Sequence, residues 1–206
     1  MKRLAIWSGF ALALALAPGP TALAAAPSDD PDWPCAQRKS GAISAAAIWS
    51  GPDIEAAGKW DDDSDAAALA RKLASRRTPL DEADALIDDF AAKAGPEKSA
   101  RLTHVFAGVL DLINSERNRV IAGVTRYARG QNLLAAKIRD EADKISDAEE
   151  SKDVSSPQAL EDAQSGLKWD KRIFDERSRS LTYVCETPVL LEKRAFEIAR
   201  KIEQRL

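Results

Sequence analysis

Histidine and cysteine are scarce in this chain, which contains one histidine, His104, and two cysteines, Cys35 and Cys185. The usual protein metal sites need two or more His or Cys ligands, so the presence of only one histidine and two cysteines argues against such sites. The sequence also lacks the motifs C-x-x-C-H, H-E-x-x-H and G-x-S-x-G and a glycine-rich phosphate loop. We therefore predict that the protein is not an enzyme and holds no cofactor or metal. His104 is interpreted as a packed or surface residue.

Long apolar runs are also missing, except at the N-terminus, where residues 4–17 are predominantly apolar and follow two basic residues. This run is too short to span a bilayer comfortably, and an Ala-Leu-Ala cleavage pattern ends at Ala24. The pattern predicts a signal peptide over residues 1–24. A retained anchor helix is the weaker alternative, because Pro-Gly-Pro cuts the run short. We expect the exported chain not to be membrane-embedded.

Basic residues are not in excess, since 30 Lys and Arg residues stand against 33 Asp and Glu residues. Signal cleavage would remove Lys2 and Arg3 and leave 28 basic residues against the same 33 acidic ones. An acidic chain is a poor match for the phosphates of nucleic acid or for an anionic membrane surface. We therefore expect neither of them to be a partner.

Proline is absent between Pro96 and Pro157, and this stretch carries the clearest pattern in the chain. Its apolar residues recur three or four positions apart, which predicts one helix over about 96–150. Such a helix is about 80 Å long at a rise of 1.5 Å per residue. Glycine weakens a helix by about 1 kcal/mol relative to alanine, so a bend is expected near Gly130.

A second long helix is predicted over about 157–205, after a polar turn at 146–156. Its apolar residues follow a heptad: Leu160, Leu167, Phe174, Leu181, Pro188, Ala195 and Ile202. Two apolar stripes of matched length joined by a short turn predict a coiled-coil-like antiparallel hairpin. Pro188 either kinks the second arm or begins a separate helix, and the unbroken phase of the stripe favours the kink.

The segment 25–62 has no long helical pattern, yet it holds three tryptophans, Trp33, Trp49 and Trp60. We interpret this segment, called the strap, as an irregular stretch that the tryptophans anchor on the hairpin. An aromatic binding site is the alternative.

Two shorter helices are predicted between the strap and the hairpin, within a helical domain over 63–206. The carboxylates of Asp61, Asp63 and Asp65 suit the N-cap and first turn of an alanine-rich helix. Their spacing also permits a calcium loop, but glycine and glutamate are missing from its sixth and twelfth positions. Thr78 and Pro79 fit the N-cap and first position of the next helix.

The two cysteines are most simply one disulfide if the chain is exported, because oxidising compartments favour the bond. The Cys35–Cys185 bridge would close a loop of about 150 residues and contribute on the order of 4–5 kcal/mol. Two free buried thiols are the alternative.

Charged residues inside the apolar stripes are the candidate binding residues. Glu116 occupies a position where the stripe of the first arm calls for an apolar residue, and Arg119 and Arg126 follow on the same helix. These three residues could form a polar ligand pocket. The alternative is that polar seam residues, including Asp170 and Arg177 on the second arm, set the register of the hairpin.

Three short stretches carry a resemblance to known proteins: Asp32-Trp33-Pro34-Cys35-Ala36-Gln37, residues 119–127 (Arg-Val-Ile-Ala-Gly-Val-Thr-Arg-Tyr) and residues 183–190 (Tyr-Val-Cys-Glu-Thr-Pro-Val-Leu). They resemble a set of small exported alphaproteobacterial proteins that open with a D-W-P-C-x-Q motif and have no known activity. The resemblance implies periplasmic export and a Cys35–Cys185 pairing, and it implies no mechanism.

Together these patterns predict an all-α protein: a long antiparallel hairpin, two shorter helices and an irregular N-terminal strap. The predicted role is a non-catalytic periplasmic interaction or scaffold protein whose partner is another periplasmic protein or a second copy of the chain. The alternative is a periplasmic helical bundle that binds a small ligand or a metal.

Overall fold

The computed structural model describes residues 30–151 and 156–206, and within them all regular secondary structure is helical. A 3₁₀ turn at Gly95–Glu97 separates the third helix from the fourth. The helices are α1 (Ala45–Ile48), α2 (Ser64–Ala74), α3 (Leu80–Ala94), α4 (Lys98–Ser151) and α5 (Pro157–Glu203). The all-α prediction is confirmed, whereas the predicted signal peptide, residues 1–24, lies outside the described residues.

The two long helices run antiparallel, as predicted. Near the turn, Gln164 Nε2 donates a hydrogen bond of 2.7 Å to Glu149. Farther from the turn, Lys137 donates to Asp170 at 2.7 Å. Farther still, Gln131 donates to the Phe174 carbonyl at 3.1 Å. The number on α4 falls as the number on α5 rises, which defines an antiparallel hairpin.

Both glycine and proline are accommodated inside the long helices. Helix α4 has 54 residues and continues without a break through Gly130. Helix α5 has 47 residues and contains Pro188 in its interior. Pro188 therefore does not begin a separate helix, which confirms that the heptad continues through it. The kink expected at Pro188 stays a prediction. The bend expected at Gly130 stays a prediction.

The hydrophobic core lies at the open end of the hairpin, where α2 and α3 pack against the start of α4 and the end of α5. We call this region the body. Its fully buried large side chains are Leu73, Ile87, Leu102, Val105, Phe106, Val109, Ile113, Leu191, Ile198 and Ile202. Burial of such side chains contributes roughly 25 cal/mol per Å² of apolar surface. The body therefore supplies most of the stabilising packing.

Trp49 and Trp60 anchor the strap on the body, as predicted. The Trp49 ring stacks on Phe106 with a centroid distance of 4.1 Å, and its indole nitrogen donates to the Pro52 carbonyl at 2.7 Å. The Trp60 ring lies so close to Gly108 that a β-carbon there would come within 2.7 Å of it. Trp33 instead closes a local loop, because its indole nitrogen donates to the Gln37 carbonyl at 2.7 Å.

The first part of the strap is held on the hairpin by covalent and polar contacts. Cys35 and Cys185 form the predicted disulfide across a sequence separation of 150 residues. Asn114 on α4 exchanges two hydrogen bonds, of 2.8 and 3.0 Å, with the backbone of Ile43. Arg129 pairs with Asp32 at 2.5 Å. The strap therefore lies along α4 and meets α5 at the disulfide.

The predicted core position of Glu116 is wrong, because Arg117 occupies the buried site. Arg117 is 3% exposed, whereas the Glu116 side chain is 47% exposed. The strap covers this face of α4, and Arg117 donates hydrogen bonds to the carbonyls of Ser40 and Gly41. A face covered by backbone carbonyls needs a donor, and an apolar side chain would leave those carbonyls unpaired.

The starts of the two shorter helices agree in part with the predictions. Asp63 caps α2, accepting hydrogen bonds from the backbone nitrogens of Asp65 and Ala66, which confirms the capping interpretation. Its oxygens also accept from Arg101, so they are engaged in intramolecular bonds. The expectation that Thr78 caps α3 is wrong. Pro79 is the residue before the helix, and Thr78 makes no side-chain cap.

Candidate functional site

Of the three residues predicted to form a polar pocket, the structure brings two together. Arg119 donates a hydrogen bond to Glu116 one helical turn away. The exposed Arg126 lies about two turns farther along α4 and does not line the same groove. The neighbouring Arg117, which sequence reasoning missed, faces the strap instead, and its buried position depends on the strap that covers it.

Glu116 and Arg119 line an open groove between α2, α4 and α5, which we call the arginine groove. Its volume is about 340 Å³. Four arginine residues line it, and Glu116 is the one acidic residue in its lining. The arginines are Arg71, Arg76, Arg77 and Arg119. Sequence spacing alone did not predict this cluster, because the α2–α3 loop contributes half of it.

A fifth arginine adds to the positive field behind this groove. Arg194 on α5 is 7% exposed and donates to the carbonyls of Leu73 and Thr78, at 2.7 and 2.8 Å. Burial lowers the pKa of Arg194, and the nearby positive charge of Arg76 lowers it further. Its hydrogen-bond partners are neutral backbone carbonyls, so these bonds leave its positive charge beside that of Arg76.

A second candidate surface lies on the outer half of the hairpin. We call residues 132–151 of α4 and 156–180 of α5 the arm. None of the described residues in the arm is buried, although Leu134, Ile138, Leu167 and Phe174 are partly covered in the seam between its two helices. Within residues 30–151 and 156–206, the arm therefore projects from the body as a pair of helices with no third element packed against it.

An apolar groove of about 480 Å³ runs along one face of the arm, and we call it the arm groove. Small residues on α5 make one wall, and Trp169 is part of its lining. Charged residues on α4 border the groove and are paired: Lys137 with Asp170 at 2.7 Å, and Lys144 with Asp140 at 2.6 Å. The residues that line the groove are Lys137, Glu141, Lys144, Ile145, Ala148, Ser156, Ala159, Leu160, Ala163, Gly166, Trp169 and Asp170.

Two large apolar side chains of the arm stand in solvent. Trp169 is 63% exposed and Leu133 is 74% exposed. The guanidinium of Arg172 lies over the Trp169 ring at 5.8 Å. Tryptophan is strongly enriched where proteins bind each other and is seldom left this exposed without a partner. The arm thus combines a groove floored by small residues with projecting apolar groups.

The remaining sequence candidates are engaged in contacts within the chain. His104 Nε2 lies 2.5 Å from the Ala57 carbonyl. The described residues contain no group of three or more His, Cys, Asp or Glu side chains that could hold a metal ion. Trp33, Trp49 and Trp60 each make a separate local contact, so they do not converge into one aromatic site.

Comparison with known proteins adds no assignment. No protein-family model, curated protein or solved structure matches this chain. Among the described helices, none combines the length and the apolar character that crossing a membrane requires. The function must therefore be argued from the two grooves and from the packing around them.

Proposed function

We propose that this protein is a non-catalytic periplasmic interaction or scaffold protein that presents its arm to a protein partner. One observation carries the proposal: the body is densely packed, whereas the arm has no buried residue among those described. The arm groove and Trp169 are then the contact surface. This is the helix-in-groove mode of recognition, in which an amphipathic helix lies in an apolar groove.

The arm extends the chain without building a core. Its described part comprises 20 residues of α4 and 25 residues from Ser156 to Ser180. Ordering each residue costs roughly 1–2 kcal/mol of backbone entropy, and helices in proteins are stabilised mainly by burying an apolar face. The arm buries only its seam, so a partner on the open face would add the missing packing.

The chemistry of the disulfide, rather than the shape of the molecule, supports a periplasmic location. The Cys35–Cys185 bond requires an oxidising environment to form and persist. The N-terminal pattern and the resemblance to exported alphaproteobacterial proteins support the same assignment. Export to the periplasm would satisfy all three.

The test is site-specific photocrosslinking in intact cells. A photoreactive phenylalanine analogue replaces Trp169 in the arm groove, and in a matched control it replaces Tyr183, an equally accessible aromatic residue on the same helix. We expect a discrete protein adduct from position 169 and none from position 183, identified by mass spectrometry. Adducts from both positions, or from neither, would contradict the proposal.

A second candidate function is binding of a small anionic ligand in the arginine groove. The observation that favours it is the set of four arginines around one carboxylate, with Arg194 adding positive charge behind them. Guanidinium groups bind phosphate and carboxylate groups by paired hydrogen bonds. The ligand class is therefore a small phosphorylated, sulfated or carboxylated molecule.

Thermal melting in the presence of inorganic phosphate or sulfate tests this candidate. The variant Arg76→Gln with Arg77→Gln removes two of the four guanidiniums, and the matched control Lys171→Gln with Arg172→Gln removes two exposed cations from the arm. We expect added anion to raise the Tm of the control and of the unmodified protein, but not of the groove variant. Equal shifts in all three proteins would rule out a specific site.

A further inference from the structure

We infer that the partner of the arm is a second copy of this chain, docked antiparallel so that two arms form a four-helix bundle. This inference rests on the proposed function, because it names the partner for the arm groove. Three observations carry it: the distribution of charge along the arm, the self-complementary shape of the groove face, and the area that the face offers.

Acidic and basic residues are segregated along the hairpin. The end of the hairpin near the turn, residues 140–151 and 156–162, contains eight carboxylates and one lysine. The adjoining band, residues 126–139 and 168–179, contains nine basic residues and three carboxylates. Because segments of opposite charge lie next to each other on the hairpin, a second, antiparallel hairpin can bring opposite charges together.

The geometry of the arm groove determines where the blocks would meet. The groove is centred where residues 141–145 of α4 face residues 160–166 of α5. A two-fold axis through that centre, near residue 143, places Asp147, Glu149 and Glu150 of each chain opposite the segment 135–139 of the other, which carries Lys137 and Arg139. A parallel pair would instead place acidic end against acidic end, which is repulsive. Electrostatics therefore selects the antiparallel arrangement.

The groove face is also self-complementary in shape. Ala159, Ala163 and Gly166 leave a shallow channel on α5, and Trp169 projects beside it. A two-fold interface uses the same patch on both subunits, so each copy must supply both a recess and a projection. Here Trp169 of one copy can fill the channel of the other, and helices can approach closely where their side chains are small.

The face is large enough for a stable dimer. Twenty residues of α4 make the arm about 30 Å long, and two helices of about 10 Å diameter make it about 20 Å wide. The flat face is thus on the order of 600 Å², and its grooved surface is larger. A standard stable interface buries about 800 Å² per partner. Two arms joined along their whole length would reach this range and complete a four-helix core.

The first test is the mass of the exported chain in solution, purified with its disulfide intact. Sedimentation equilibrium at micromolar concentration should show twice the monomer mass. Ala163→Arg, which fills the channel at an exposed helical position, should raise the dissociation constant of the dimer at least about tenfold. The circular dichroism and Tm of this variant report whether it is folded. A folded variant that dimerises as tightly as the unmodified chain would overturn the inference.

The orientation is tested by exchanging charge. Glu149→Lys with Glu150→Lys should weaken the dimer, and so should Lys137→Glu with Arg139→Glu, because each pair of changes places like charges opposite each other. All four changes in one chain should restore it, since residues 149 and 150 then carry the positive charges and residues 137 and 139 the negative ones. A parallel dimer would not be restored by the fourfold change. Raising ionic strength from about 0.1 M to about 1 M, which shortens the Debye length from about 10 Å to about 3 Å, should weaken the unmodified dimer.

A covalent test uses two open helical glycines as a matched pair. Gly166 lies in the arm groove and Gly123 lies on α4 outside the arm, and a β-carbon at either would meet nothing within 4 Å. Gly166→Cys lies about three residues from the two-fold axis, which puts the two thiols about 9 Å apart along the helix. A short bismaleimide should therefore crosslink the Gly166→Cys dimer, whereas it should not crosslink Gly123→Cys. Equal crosslinking of both variants would count against the proposed axis.

The outcomes separate this inference from the proposed function. If the chain is monomeric at micromolar concentration and position 169 captures a different protein in cells, the second-copy inference fails and the interaction function stands. If the chain is monomeric and position 169 captures nothing, both fail. If the dimer forms and position 169 captures the chain itself, both are supported.

Discussion

Single residues connect the irregular parts of this protein to its helices, and most of them are charged. Arg117 and Arg194 are buried and donate to backbone carbonyls: Arg117 to the strap, and Arg194 to the last turn of α2 and to the loop after it. Such carbonyls have no helical partner, so a long donor that reaches them removes a desolvation penalty. Asp63 does the same for backbone nitrogens at the start of α2 while it pairs with Arg101.

Asp63 should make the stability of the protein depend on acidity below about pH 4. Its hydrogen bonds with Arg101 lower the pKa of Asp63 from 3.8 to about 2. The depressed pKa means that ionisation stabilises the fold, by about 2 kcal/mol at neutral pH, and that this contribution is lost as the pH falls from about 4 to 2. Urea unfolding at a series of pH values measures it.

Two variants separate this effect from general acid denaturation. Asp63→Asn keeps a capping oxygen but loses the charge, so its unfolding free energy should be lower at pH 7 and should change less between pH 4 and 2. Asp61→Asn, an exposed neighbour in the same acidic run, should behave like the unmodified protein. A steep acid loss in Asp63→Asn equal to that of the unmodified protein would contradict this account.

The protein should be more stable with glycine than with alanine at position 108, although alanine is the better helix former. A β-carbon at Gly108 would lie 2.7 Å from the Trp60 ring and 2.8 Å from the Ala70 side chain. Gly108→Ala should therefore destabilise the protein by about 1–3 kcal/mol through overpacking. Gly123→Ala on the same helix has open space and should stabilise it by up to about 1 kcal/mol. Chemical unfolding should give a lower unfolding free energy for Gly108→Ala and a higher one for Gly123→Ala than for the unmodified protein.

At the scale of elements, the strap and the long helices depend on each other. The described part of the strap, residues 30–62, contains one short helix, α1. It is positioned by α4 through Asn114 and Arg117 and by α5 through Cys185. In return, the strap covers a face of α4 that carries polar groups. The strap is thus a structural part of the body rather than a loose extension.

Removing the disulfide should release the first part of the strap before it unfolds the body. In the chain-entropy model, a loop of about 150 residues makes the bond worth about 4–5 kcal/mol. Cys35→Ser with Cys185→Ser should lower the unfolding free energy by up to that amount. In hydrogen exchange, amides near residues 30–41 should lose protection, while those near Phe106 stay protected because Trp49 still packs there. Uniform loss of protection would show that the strap and body unfold as one unit.

At the scale of the whole molecule, the protein divides into a packed body and a projecting arm. Every buried residue that the structure describes lies outside the arm. The arm therefore adds reach, about 30 Å at 1.5 Å per residue, without adding core. This division is what supports an interaction role, since the arm leaves an apolar groove and Trp169 open to a partner.

The body should fold without the arm. Deleting residues 132–180 and joining Gln131 to Leu181 through a short loop keeps every described buried residue and the disulfide. The shortened chain should be helical and monomeric, with a Tm within about 5 °C of the monomeric Ala163→Arg variant. Failure of the shortened chain to fold would show that the arm helps to hold the body together.

The sequence by itself determined the all-α class, the two long helices, their antiparallel pairing and the path of α5 through Pro188. Those features follow from local periodicity and from the scarcity of helix-breaking residues, both of which can be read directly from the sequence. The disulfide was predictable too, because the chain has only one pair of cysteines.

Only the tertiary structure decided that Arg117 rather than Glu116 is buried, and that Arg71, Arg76 and Arg77 meet Arg119. Both depend on which irregular segment covers which helix face, and irregular segments have no period from which to predict it. The same holds for the arm. The apolar stripes are similar at both ends of the hairpin, and only the position of α2 and α3 on one end leaves the other end open.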